Sequence, residues 1–140
     1  MTDMVELAHE LFDRIEWQKV PEDVTREDLT GFIARGIRDL YVKTGRATSF
    51  SEDMFVKAED MYTEFTPTLP LDESQYVLVS AEIFFYQKVQ KTVDTLTSYT
   101  TDALSVTHGD KPFANLQQTL TDLKAEQRQI WYKMTRYHHL

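Results

Sequence analysis

The longest apolar run in the chain sets the terms for everything around it. From Asp72 onward, Tyr76, Val79, Ile83, Phe84, Tyr86, Val89, Val93 and Leu96 recur at helical spacing. A helix with an apolar surface this broad has to be covered on more than one side. Asp72 is therefore expected to open a central buried helix, and the rest of the sequence is read for what coats it.

Three shorter amphipathic stretches precede it. The first, about Asp3 to Glu16, places Val5, Leu7, Ala8, Leu11, Phe12 and Ile15 on one broad face, with Trp17 expected to cover the edge of the core. Thr25, followed three residues later by Asp28, resembles a capping box, although the usual partner is Glu or Gln. It opens a second helix with Leu29, Phe32, Ile33, Ile37 and Leu40 on one stripe, for which Gly45 is a natural left-handed stop. Ser51 is expected to cap a third helix carrying Met54, Phe55, Ala58 and Met61, ended by Pro67 and Pro70.

After the central helix the composition changes. Thr97 to Pro112 is dominated by Thr, Ser, Gly, Asp and Pro, and Ala103 to Thr107 alternates with the period of two typical of extended chain. The last helix, about 113–137, carries Leu116, Leu120, Leu123, Ile130, Trp131, Met134 and Tyr137 near heptad spacing, interrupted by Gln127, and can pack beside the central one. The expected fold is all-α: one domain over residues 1–140, a bundle of about five helices with a partly extended excursion at about 97–112.

With 140 residues, 41% of them hydrophobic, the chain can build a core. It has no cysteine, which excludes disulfides, thiolate metal sites and a cysteine nucleophile. Thr2, Asp3, Glu6 and Glu10 break the apolar run a secretory leader would need, and Glu82 interrupts the richest apolar stretch, so neither a leader nor a membrane span is expected. The net charge of -8 divides unevenly: residues 1–75 hold 17 acidic and 8 basic side chains, and residues 76–140 hold 6 acidic and 7 basic. Phosphate-backbone affinity depends on Lys and Arg, so a dedicated DNA-binding role is disfavoured. An acidic wall that repels a passing duplex remains compatible with this balance.

Templates for chemistry find no match. The four glycines form neither GxGxxG nor a P-loop. His138 and His139 are adjacent, and neighbouring side chains on a helix point about 100° apart, which is poor geometry for shared chelation. Glu59, Asp60, Glu64, Glu73, Glu82 and Asp94 lack the paired Glu-x-x-Glu pattern of all-α magnesium hydrolases, and no histidine has the setting of a positioned base. No catalytic residue, cofactor or metal is expected. A metal-dependent hydrolase using Glu59, Glu64 or Glu82 is the less favoured alternative.

Two features exceed what a plain bundle needs. One is the 97–111 excursion, longer than most helix connections. The other is the C-terminal run Ile130 to Leu140, where large side chains cover most of the helix circumference and Trp, Tyr and Arg are typical interface anchors.

The order of elements resembles the adaptor subunits of tailed-phage head-to-tail connectors. A start at Val24-Thr25-Arg26-Glu27-Asp28-Leu29 is followed by a long apolar helix, then the Ser/Thr-rich run Thr97 to Thr107, then another helix. The Pro67 to Leu71 connection and the length of the last helix depart from that pattern. The resemblance implies a non-enzymatic virion neck protein, assembled in the host cytoplasm, that docks on the portal as a ring, commonly of twelve copies in that family. DNA would pass through its channel without sequence-specific contact, neighbouring neck and tail proteins would be further partners, and no membrane would be involved. Under this reading Tyr99, Leu104 and Val106 form one contact, and Trp131, Tyr132, Arg136, Tyr137 and His138 the other. A small helical binding or regulatory module using the same C-terminal surface is the alternative.

Overall fold

The computed structural model describes residues 1–20, 29–100 and 110–138; at 19, 92–100, 110–115 and 136–138 it describes the backbone alone. Its elements in chain order are β1 (Thr2–Asp3), α1 (Met4–Arg14), a 3-10 turn at Trp17–Lys19 and α2 (Leu29–Lys43). Two further 3-10 turns (Ala47–Ser49, Glu52–Met54) lead to β2 (Phe55–Ala58), β3 (Met61–Phe65), α3 (Leu71–Thr100) and α4 (Asp110–His138). The protein is predominantly helical, with a small antiparallel sheet of order β1-β3-β2.

Helix α3 is the centre. Between Tyr76 and Val89 its side chains are buried on nearly every face, only Gln87 and Lys88 being exposed and Phe84 half-buried. Burying a large apolar side chain stabilises by roughly 1.5–3 kcal/mol, so a helix of this composition gains most when surrounded. Helices α2 and α4 form its most extensive contacts, with α1 on a third side. All the buried hydrophobic side chains fall in one cluster.

Local signals account for the coat. Asp3 caps α1, its Oδ1 accepting from the backbone N–H of Val5 at 3.0 Å and of Glu6 at 3.2 Å. The helix ends at Arg14 rather than Glu16, because Ile15 turns to extended backbone (ψ 131°). Trp17 covers the core edge, its ring 5.0 Å from Phe12 and 5.5 Å from Phe85. At the end of α2, Gly45 takes φ +72°. There its N–H donates to the Val42 carbonyl at 3.2 Å and that of Arg46 to the Tyr41 carbonyl at 2.8 Å, the paired bonds of a Schellman stop. The capping box at Thr25 and Asp28 lies outside the described residues.

The third helix expected from Ser51 is not formed. Ser51 caps only a 3-10 turn, accepting from the N–H of Asp53 at 3.3 Å, and the chain then runs as a hairpin. Met54, Phe55, Ala58 and Met61 do match a helical stripe, but Phe55-Val56 and Tyr62-Thr63 are β-branched and aromatic residues that suit a strand. Pairing adds what a lone short helix lacks: β3 lies between β2 and β1, placing Phe65 opposite both Phe55 and Thr2. Phe65 is fully buried, with the rings of Tyr41, Phe55 and Phe50 at 5.8, 5.2 and 6.4 Å. Thr2 ties the N-terminus down, donating to the Pro67 carbonyl at 2.7 Å and accepting from the Leu69 N–H at 3.1 Å.

The excursion is also shorter than expected. Thr97 to Thr100 continue α3, and Asp110 to Pro112 already belong to α4. Pro112 sits in the first turn of α4, where a missing N–H costs little. The alternating run Ala103 to Thr107 lies outside the described residues. None of the described helices is long and apolar enough to cross a membrane.

Helix α2 approaches α3 at Gly36, where an added Cβ would lie 2.8 Å from the Val77 carbonyl oxygen and 3.2 Å from Val77 Cγ1. At Gly31, five residues earlier, a Cβ would meet nothing within 4 Å. Alanine is intrinsically the better helix former by about 1 kcal/mol at both positions. Gly31→Ala should therefore raise the unfolding free energy by up to about 1 kcal/mol, whereas Gly36→Ala should lower it by about 1–3 kcal/mol through overpacking. Urea titration of both variants checks this, and equal responses would refute the close crossing.

Candidate functional site

The surface that matters most is built on α4, and its orientation is set by polar contacts inside the bundle. Leu116, Leu120, Leu123 and Met134 are buried along one face, at the heptad-like spacing read in the sequence. Gln127, the polar interruption, faces the fully buried Ser80 of α3, its Nε2 donating to Ser80 Oγ at 2.9 Å. One residue away, Glu126 meets Arg14 of α1 at 3.3 Å. These contacts fix how α4 is turned, and hence which of its residues face outward.

Trp131 and Tyr132 are separated by that turn. Trp131 is half-buried, its ring 6.2 Å from Tyr76, and closes the core edge. Tyr132 is 67% exposed. Tyr99, Arg136, Tyr137 and His138 lie on α3 and α4, and only their backbone is described. Leu104 and Val106 lie outside the described residues. The two proposed contacts sit at opposite ends of an antiparallel helix pair, Tyr99 near the 101–109 connection and Tyr132 toward the far end.

The carboxylates considered for metal chemistry do not converge. Glu59 occupies the β2–β3 turn with φ 59°, Glu64 lies on β3, and Glu82 is buried on α3. Glu82 accepts from Arg14 Nε at 2.7 Å, and Glu73, also buried, accepts from Arg46 Nη2 at 2.7 Å. Arg46 in turn lies 4.7 Å above the Tyr41 ring, held there by the Schellman stop. Both buried acids thus act as structural braces. Among the described residues no group of three or more His, Asp or Glu side chains is placed to hold a metal ion.

No family model matches the chain, and no curated protein or solved structure is detectably similar to it. Its surfaces therefore have to be argued from their own residues.

Sequence reading missed the two buried ion pairs. Helical spacing puts Glu73 and Glu82 on a helix that is buried all round, and that placement was the available signal. What it could not give is the partner, since Arg14 lies 68 residues from Glu82. Burial raises the Glu82 pKa above the usual carboxylate range, with Arg14 pulling the other way. Burial likewise pushes the Tyr86 phenol up to about 12; its oxygen accepts from the Glu16 N–H at 2.9 Å.

Two outcomes follow. A carboxylate whose pKa is raised by folding leaves the native state holding more protons than the unfolded chain, so its contribution declines as pH rises through the raised value. Urea titrations from pH 4 to 7 should show wild type losing stability relative to Glu82→Gln as pH increases; the opposite slope would mean Arg14 outweighs burial. Trp131→Ala should cost about 2 kcal/mol, as a half-buried aromatic does, while Tyr132→Ala should stay within about 0.5 kcal/mol. Comparable losses at both positions would mean that α4 is turned differently.

Proposed function

We propose that the chain is a structural subunit of a tailed-phage neck, a head-to-tail connector that docks on the portal as a ring and extends the DNA channel toward the tail. The observation that carries this reading is the α3/α4 pair, two helices of 30 and 29 residues. The segment joining them is the Ser/Thr-rich run on which the family resemblance rests. The last described buried position of α3 is Val89, so the end of α3 at Thr100 lies about 16 Å further along the axis. The opposite end of the pair presents Tyr132 to solvent beside a Trp131 fixed in the core edge, an arrangement suited to anchoring a second protein.

The reading also gives the acidity a use. The chain carries a net charge of -8, and repulsion between an acidic channel wall and duplex DNA would favour passage over retention. The portal and the neighbouring neck and tail proteins are the partners, the virion neck is the location, and the work is positional, without a catalytic step. The hydrolase alternative loses ground because Glu82 is already committed to Arg14.

The deciding experiment measures mass and symmetry of the purified protein, alone and mixed with extract from infected host cells, by light scattering followed by particle imaging. A closed cyclic ring, or co-purification with portal-sized particles, is expected. A monomer or two-fold dimer with no large partner would overturn the connector reading in favour of a small regulatory module. Tyr132→Ala should keep the wild-type melting temperature yet reduce capture on such particles at least about tenfold, as loss of an anchor side chain does.

A further inference from the structure

Two solvent-facing stripes of opposite charge lie on neighbouring helices. On α1, Glu6, Glu10 and Asp13 are exposed, and at 100° per residue they fall within an arc of about 60°. Asp3, the cap of the same helix, extends the stripe at its N-terminal end. Beside it Phe12 is 41% exposed. The α1 ridge stands between two grooves, an apolar one of about 450 Å³ reaching Met61 and one of mixed lining, about 460 Å³, reaching Ser74.

On α2 the outward arc carries Arg35, Arg38 and Lys43, with Val42 65% exposed among them. The guanidinium of Arg35 lies 4.2 Å above the Phe84 ring, which fixes its position while leaving its in-plane donors directed sideways. Arg38 is already engaged within its own copy, its Nε reaching both Glu52 carboxylate oxygens at 3.0 and 3.1 Å and its Nη2 donating to the Tyr62 hydroxyl at 3.2 Å. Asp39, in the same arc, accepts from the Tyr76 hydroxyl at 3.0 Å and is turned toward the core. With Arg38 matched by Glu52, Arg35 and Lys43 on either side of the exposed Val42 form a local reversal of sign in a chain of net charge -8.

We infer that the protein binds a second copy of itself head to tail, the acidic α1 stripe of one copy against the basic α2 stripe of the next. The occupant follows from complementarity: each stripe has the opposite sign to the other and an exposed apolar side chain, Phe12 or Val42, near it. On the ring reading each copy presents its α1 stripe to one neighbour and its α2 stripe to the other, so that repetition closes a ring or runs on as an open filament. Reciprocal pairing of both stripes would instead give a two-fold dimer, and a particle of that symmetry overturns the head-to-tail arrangement. This inference rests on the ring reading and names the faces through which neighbouring subunits meet.

The test is reciprocal charge reversal. Glu6→Lys/Glu10→Lys makes both stripes basic, and Arg35→Glu/Lys43→Glu makes both acidic. None of the four side chains is buried, so folding is checked by melting temperature and expected to hold. Sedimentation of the wild type at rising concentration should show self-association that weakens as salt is raised from 50 to 500 mM. Each double variant alone should associate at least about tenfold more weakly, and the equimolar mixture should recover wild-type assembly, since each now offers the other its complement. Folded variants that associate like the wild type, or a mixture that recovers nothing, overturn the head-to-tail pairing. A cyclic particle indifferent to the reversals overturns this pairing alone and leaves the ring reading standing. A chain monomeric at every concentration and salt overturns the pairing, while the ring reading is judged separately by imaging with host extract.

Discussion

The structure depends on one requirement: α3 is apolar on nearly every side and has to be enclosed. Three helices and a sheet meet that requirement by different means. Gly36 lets α2 come within backbone distance of Val77, α4 lays a face of leucines along the helix, and α1 covers a third side. The hairpin and the N-terminal strand then place Phe65 under the aromatic rings of the α2 end. Enclosure has a cost, because Glu73, Ser80 and Glu82 are buried with everything else. Each has a partner from a different element: Arg46 beyond α2, Gln127 of α4 and Arg14 of α1.

Those three partnerships act more as registers than as sources of stability. A buried ion pair loses much of its Coulombic gain to desolvation, which is why the Glu82 pKa is raised despite a 2.7 Å contact with Arg14. Breaking one partner, however, leaves a buried charge or hydroxyl unmatched, a penalty of about 1–3 kcal/mol or more. Sliding α4 by one residue would separate Gln127 from Ser80 and Glu126 from Arg14 together. The polar layer therefore selects one seating of α4 among several that leucine packing alone would tolerate, and Tyr132 faces outward because of that selection.

Helices α1, α2, α3 and α4 were legible because each carries a periodic apolar face long enough to distinguish helix from strand, and Gly45 marked a stop that its positive φ explains. The segment after Ser51 was not, since four apolar residues at helical spacing over eight positions also describe a short hairpin. What decided between them was pairing with Thr2 and Asp3, more than fifty residues away, which local pattern cannot report. The same limit applies to the site. Heptad spacing put Trp131 on the inner face and Tyr132 off it, yet composition made both interface anchors, and the contact of Gln127 with Ser80 shows how α4 is turned to separate them. The ends of the excursion misled for another reason: Thr and Ser are weak helix formers, yet α3 keeps them helical to Thr100 as it runs beside α4.

The arrangement of charge is the part of the molecule that core formation leaves unexplained. The pairs at Glu73 and Glu82 use arginines from α1 and from beyond α2, and neither draws on the outward stripes of those helices. Arg35, over the Phe84 ring of α3, and Arg38, against Phe55 and Tyr62 of the hairpin, help to cover the fold, but nothing in enclosing α3 requires α1 to be acidic along its ridge. Each stripe is small, so a single contact between two copies would be weak, with exposed charges contributing a fraction of a kcal/mol apiece. A ring changes that arithmetic, because the last subunit to enter makes two contacts at once and closure turns the final one into an intramolecular event. Weak, salt-sensitive, head-to-tail stripes are thus a sufficient basis for a ring.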